Sequence, residues 1–429
     1  MSLAAFAGPP PSIVAPPGQS KPWVPEPPKP PKSAFPPSGW KFKRGEPGKP
    51  AILLIHGLAA SSGHWTSPAE TWSIKNGHYK HWKEPKNQSG KSTIPKIEGG
   101  VRSIVLSKVD KHADEEGSFW NYLVGQGFTV ATWNQIPCMD TSDMPSQKCL
   151  DSDVFDTAYP TAKEALAFLA GSTTEDIALV AHSRGGLIAR KLLQEKDLPI
   201  ARVKWVVTLH TPHHGSSMAS KGNQFQKAIA KPGDAIEMGW VPSALRDAAK
   251  KLLPDAGSKL SKTIDVLVVL TGLAGAKELD ANGKLYKDIE AREKKIPGLK
   301  FYTFGGTSPR LAKLWARVYS DGGQNWKTRP RELLDFPADM KVPFDEVKKG
   351  GDLLVTHASS KLESLEDEHF TNSLNHAEVL WNKKVQKKVA ALLLAAPAEA
   401  GEATAGEDDQ EDDADDDTGN DDAVDAGAR

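Results

Sequence analysis

With 429 residues, 54 basic and 55 acidic side chains, the chain is long enough to bury a large core, and its formal charge of -1 is unevenly spread. No stretch reaches the ~18 to 20 apolar residues of a membrane span. Two cysteines, Cys138 and Cys149, are too few for a disulfide scaffold, although close enough to pair in an oxidising compartment.

Residues 1–40 read as a Pro-rich arm, with 13 of the 32 prolines before residue 39 in runs that favour extended backbone and lack amide donors. The start, MSLAAFAGPPPS, has no basic region and meets proline early, so no signal peptide is expected, and a cytoplasmic location is. At the other end, 400–429 holds 13 carboxylates against one arginine, which leaves about +11 on the rest. That tail has too little apolar surface to offset the entropy of ordering it. Both ends are expected to be disordered, with a folded domain over 45–396 between them.

Within that domain, strands are expected at 50–56 (PAILLIH), 127–133 (GFTVATW), 177–183 (IALVAHS), 203–212 (VKWVVTLHTP) and 299–306 (LKFYTFGG), as apolar runs of buried parallel strands. Helices are expected between them at SFWNYLVGQG, at 161–171 (TAKEALAFLAG) and at GLIARKLLQEKD. A last helix follows His376, with Val385, Val389, Leu392 and Leu393 on one face. This alternation predicts one doubly wound α/β domain, a mostly parallel sheet flanked by helices. Two insertions interrupt it: 66–115, with little periodicity, and 213–298, whose apolar run 264–273 reads as a core element or as part of a lid or cap.

The chemistry centres on Ala181-His182-Ser183-Arg184-Gly185, between a strand and a helix. A serine there is an N-cap or a nucleophile. Small neighbours favour the second reading, because strand and helix cross closely around a nucleophile held in a strained turn. A nucleophilic serine needs a base and an acid to orient it. Among 12 histidines, His376 in LNHAE comes late, before the last helix, with His357 as its competitor. Asp352 in GDLLV is the candidate acid, with Asp321 and Asp345 as alternatives. His56-Gly57-Leu58 ends the first strand, either as a plain strand-to-loop turn or as a loop that presents the amide of Leu58, with that of Arg184, to an oxyanion. Arg184 is expected to act through its amide and not its charge.

In this order the motifs resemble those of the α/β-hydrolases of the bacterial lipase and esterase type, over roughly 45–396. Ala181-His182-Ser183-Arg184-Gly185 is similar to the G-x-S-x-G elbow with alanine first, LHTPHHGS to a segment lining lipase sites, and GDLLV to the stretch carrying the lipase aspartate, with Leu353 in place of a glycine. The resemblance implies a serine hydrolase of lipid or medium-chain esters. Ser183, Asp352 and His376 would be catalytic, and Leu58 and Arg184 would form the oxyanion hole. An acyltransferase, a polyester depolymerase or an amidase would share these residues, and a binding module of this fold would normally have lost one. No cofactor and no nucleic-acid partner are expected, while a lipid interface could meet the lid. His64, His78 and His81 are read as surface histidines and not as a metal site.

Overall fold

The computed structural model describes residues 36–68, 101–106, 117–139, 146–217, 220–221, 273–309, 312–318, 331–336 and 344–395; for the strands at 101–106, 312–318 and 331–336 only the backbone is considered. The Pro-rich arm, the acidic tail, His78, His81, Asp321 and residues 222–272 of the expected lid lie outside them.

In chain order the strands are β1 (Lys41–Lys43), β2 (Ala51–Ile55), β3 (Val101–Leu106), β4 (Thr129–Thr132), β5 (Ile177–His182), β6 (Val203–Leu209), β7 (Lys300–Gly306), β8 (Ala312–Val318), β9 (Arg331–Phe336) and β10 (Glu368–Asn372). The main sheet runs β1-β4-β2-β5-β6-β7-β10. Its strands are parallel except β1, which pairs antiparallel with β4. The predicted strands are all present. β1 and β10 are edge strands too polar to stand out in the sequence. A second, antiparallel sheet, β3-β8-β9, joins part of the expected 66–115 insertion to residues after β7.

Burial on both faces explains the apolar runs, since β2 and β5 are buried at every position. Successive side chains serve opposite layers. Leu53, Ile55, Leu179 and Ala181 pack with the helices Phe155–Ser172 and Gly185–Leu192. Ile52, Leu54, Ala178 and Val180 pack with the helices Phe119–Gly125 and Lys383–Leu394. The first of these helices begins at Phe155 and not at Thr161, running through Pro160 because Ala158, Ala162, Ala165 and Leu166 are buried on one side.

The part of the expected lid that is described belongs to the body of the domain. Tyr286 donates to Pro212 O at 2.9 Å, Gln194 to Ile289 O at 2.8 Å, and buried Arg190 pairs with Glu293 at 2.6 Å. These contacts fix the helix Lys284–Glu290 against the helix that follows β5.

The register brings one end of the sheet into line. Ala181 of β5 faces Ile55 of β2, His182 faces Leu209 of β6, Leu209 faces Phe304 of β7, and Gly306 of β7 faces Asn372 of β10. His56, Ser183, His210 and the loop to His376 therefore all leave the carboxyl edge, where α/β sheets bind ligands.

Candidate active site

β5 ends at His182 and the next helix starts at Gly185, which leaves two residues for the reversal. Ser183 accommodates it with a φ of 55°, in the left-handed region. Its amide donates to Leu209 O at 3.0 Å and its carbonyl accepts from Gly186 N at 3.0 Å. Ala181 is fully buried, so a methyl group fits where the elbow motif has glycine. Gly57 tolerates no such addition, because a Cβ there would lie 2.8 Å from Ser183 Cβ. The His-Gly loop thus reaches the serine through its backbone.

Asp352 and His376 are brought into contact with each other. Asp352 Oδ2 lies 2.8 Å from His376 Nδ1, and His376 N donates to Asp352 O at 2.9 Å. Oδ1 accepts from the amides of Leu354 at 3.0 Å and Val355 at 2.7 Å. Leu353 takes a φ of 94°, so it keeps the backbone that favours glycine at this position. Burial alone would raise the Asp352 carboxyl, but the neighbouring His376 and His210 outweigh it and hold the group below the usual carboxylate range. An ionised carboxylate only accepts, so Nδ1 of His376 carries the proton and Nε2 offers a lone pair. The Ser183 hydroxyl makes no hydrogen bond among the described residues.

The backbone of His376 is tied to His182, the residue before Ser183. Its carbonyl accepts from His182 Nε2 at 2.8 Å, and the two rings lie 4.6 Å apart. That bond fixes the His182 tautomer, so His182 Nδ1 accepts from His64 Nε2 at 2.9 Å. His64, expected at the surface, is buried in this chain of bonds, and burial keeps both rings neutral.

The side chain of Arg184 corrects a second expectation, since it is wholly buried and its charge is used. Nη2 contacts Asp153 Oδ1 at 2.5 Å and Gln135 Oε1 at 3.0 Å, and Nη1 donates to Asp153 O at 3.0 Å. Asp153 Oδ2 accepts from Ala59 N at 2.6 Å, and Gln135 Nε2 donates to His56 O at 2.5 Å. Gln135 N donates to His56 Nε2 at 3.1 Å, which leaves Nδ1–H of His56 to donate to Gly57 O at 2.9 Å. This network clamps the His56–Ala59 loop from both ends. The amides of Leu58 and Arg184 make no hydrogen bond among the described residues. Asp153 and Gln135 carry no sequence signal, because neither lies in a motif and their partners are distant in the chain.

The remaining candidates lie elsewhere. Asp345 faces Lys221 at 2.8 Å and Lys349 at 3.2 Å. His357, the competing base, points at Thr371 Oγ1 at 2.8 Å and His369 Nε2 at 3.1 Å. His213 is buried against Thr208 at 2.9 Å, and His214 is exposed. The loop carrying them is tied to the Asp352 loop through Ser216, whose hydroxyl donates to Leu354 O at 2.8 Å.

A mostly parallel sheet with this strand order, a strained turn after β5, and late loops after β7 and β10 define the α/β-hydrolase fold. The PGAP1-like alpha/beta domain family matches residues 164–240, which include the turn. A lipase of Bacillus licheniformis, BlEst2, in its mature form is similar at 15% identity and a TM-score of 0.44, covering 83% of this chain and 98% of that one. A lipase-esterase related protein from Clostridium acetobutylicum shares 12% identity at a TM-score of 0.36, covering 82% and 98% respectively. No curated protein matches the sequence significantly. Among the described residues no helix is long and apolar enough to cross a membrane.

Proposed function

We propose that the protein is a serine hydrolase of carboxylic esters, with lipid or medium-chain acyl esters as its substrate class. The observation that carries this reading is the buried 2.8 Å contact of Asp352 with His376 beside the left-handed turn at Ser183. His376 Nε2 takes the Ser183 proton as Oγ attacks the ester carbonyl, and the amides of Leu58 and Arg184 receive the oxyanion. Each such donor is worth about 2.7 to 4 kcal/mol in acyl transfer. The tetrahedral adduct expels the alcohol, which takes its proton from His376. Water then attacks the acyl-enzyme by the same route, releasing the acid and restoring the Ser183 hydroxyl. Asp352 orients the imidazole and stabilises its cation. The bond between nucleophile and base commonly tightens only when substrate binds.

Turnover of p-nitrophenyl esters from acetyl to palmitoyl tests the reading and its acyl preference. Ser183→Ala is expected to lose on the order of 10⁶ in kcat, and undiminished turnover ends the proposal. Product analysis with an added alcohol separates hydrolysis from acyl transfer.

The Cys138–Cys149 disulfide favours an oxidising compartment over the cytoplasmic location expected from sequence. Two reactive thiols in protein isolated under non-reducing conditions would reverse that preference.

A further inference from the structure

The two residues that clamp the His56–Ala59 loop come from separate segments. Gln135 follows β4 and leads into the 3-10 turn Pro137–Met139, where Met139 N donates to Ile136 O at 3.0 Å. Asp153 follows the helix Gln147–Asp151, and its amide donates to Leu150 O at 3.1 Å. Ser152 ties back to the same helix, its hydroxyl donating to Cys149 O at 2.7 Å. Cys138 therefore lies about one turn after Gln135, and Cys149 about one turn before Asp153, each in a segment held by local hydrogen bonds. The disulfide between them joins the two arms of the clamp.

Little else joins the arms directly. Among the described residues no backbone hydrogen bond runs between 135–139 and 147–153. Ile136, Met139, Leu150 and Phe155 share a core cluster, but apolar contact is non-directional and leaves the spacing of the arms loosely set. The Arg184 side chain spans the gap, with Nη2 reaching Asp153 Oδ1 and Gln135 Oε1 together. It meets both only while they keep their separation. The loop depends on the same separation, since Gln135 Nε2 holds His56 O at 2.5 Å and Asp153 Oδ2 holds Ala59 N at 2.6 Å. Ala59 has a φ of 53°, a strained conformation that persists only where surrounding contacts over-determine it.

A cross-link that serves the whole fold gains most by closing a long loop. This one spans a sequence separation of 11 residues, so its place between the arms matters more than the length it closes. We propose that the Cys138–Cys149 disulfide positions the His56–Ala59 loop by holding Gln135 and Asp153 at a set spacing around Arg184, and that a dithiol which opens it slows turnover. The inference rests on the reading of Leu58 and Arg184 as the oxyanion hole. Cys138 is exposed and Cys149 buried, so the reagent meets the Cys138 sulfur first. Its thiolate attacks Cys138 Sγ, the S–S bond breaks, and Cys149 leaves as a thiolate that takes up a proton. The second thiol of the reagent then displaces Cys138, which is protonated in turn. The dithiol ends as a cyclic disulfide, having given two electrons and two protons to the cysteines.

Wild-type protein reduced with dithiothreitol, then freed of reagent under inert gas, is assayed on the best p-nitrophenyl ester. Its kcat is expected to fall about tenfold, less than the roughly 10²- to 10³-fold loss of an oxyanion donor, because the donor is loosened and not removed. KM should stay within about twofold. The acidic limb of the pH profile of kcat/KM should stay in place, since among the described residues Asp352 and His376 make no bond to the clamp. Re-oxidation should restore kcat, and Cys138→Ser/Cys149→Ser should show the same fall with no response to the dithiol. Hydrogen exchange followed by NMR reads the clamp without turnover: the Ala59 amide should exchange faster on reduction while the amides of β5 keep their rates. Unchanged exchange at Ala59, faster exchange at Ala59 and β5 alike, or free thiols in the untreated protein overturns the proposal. Faster exchange at Ala59 alone with unchanged kcat would uphold the tether and overturn the oxyanion reading on which its catalytic role rests.

Discussion

Two buried aspartates flank the Ser183 turn, and they are held by opposite kinds of partner. Asp352 faces the imidazole of His376 and two amides, with the His210 ring 2.8 Å away, whereas Asp153 faces a guanidinium and the amide of Ala59. An imidazole changes charge within the working pH range, and a guanidinium does not. The side of the turn that would move protons is thus built from groups that gain and lose them. The side that would hold an oxyanion is built around a permanent ion pair, which keeps the His56–Ala59 loop in place whatever the protonation state opposite.

Substitutions that remove one charge at a time test this division. Asp352→Asn is expected to cause the largest change, a fall of about 10⁴ in kcat, by analogy with loss of the acid in Ser–His–Asp sites. Steady-state kinetics checks it, and a loss under tenfold would remove Asp352 from the role. Asp153→Asn should act first on stability. It leaves Arg184 buried without its counter-charge, at a cost of roughly 3 to 5 kcal/mol in urea unfolding. If Asp153→Asn keeps wild-type stability and loses only kcat, the two sides are not divided as described.

Acid should weaken the fold in two windows. Burial depresses His56 to about 4 from an ordinary 6.5 and lowers His64, His182 and His213 well below theirs. Between those values the unfolded chain binds more protons, so stability rises with pH there and is lost as pH falls from 6.5 toward 4. His56 alone accounts for about 3 kcal/mol of that loss. The lowered Asp352 carboxyl contributes stability that is complete above its ordinary value of 3.8 and declines below it. Urea titrations at pH 8, 6 and 5 measure the first window, and a flat profile would mean that these rings are not neutral. The smallest effect is expected from Ala59→Gly, which relieves a left-handed alanine with a φ of 53°. Its gain should not exceed about 1 kcal/mol, because glycine returns part of it as chain entropy.

Much of this site was readable in the order of the motifs. Ser183, Asp352 and His376 each lie in a short pattern tied to a turn or a helix start. β2, β5 and β6 were legible because burial on both faces leaves little room for polar residues. β10, EHFTN, was not legible, since an edge strand is half exposed and alternates weakly. Asp153 and Gln135 were hidden for another reason. Their roles depend on contacts with Arg184 that span 31 and 49 residues of sequence, and no local spacing encodes such a pair.

The placement of β10 has a consequence for how the protein fails. The candidate base follows this strand, and Asn372 at its end faces His210, yet among the described residues β10 pairs only with β7, at the margin of the main sheet. Marginal strands open locally at lower free energy than the interior of a sheet. Such an opening separates His376 from Asp352 while β2, β5 and β6 stay folded. Under rising denaturant, activity should disappear before the bulk of the sheet melts, and amides of 368–372 should exchange with solvent ahead of those in β5.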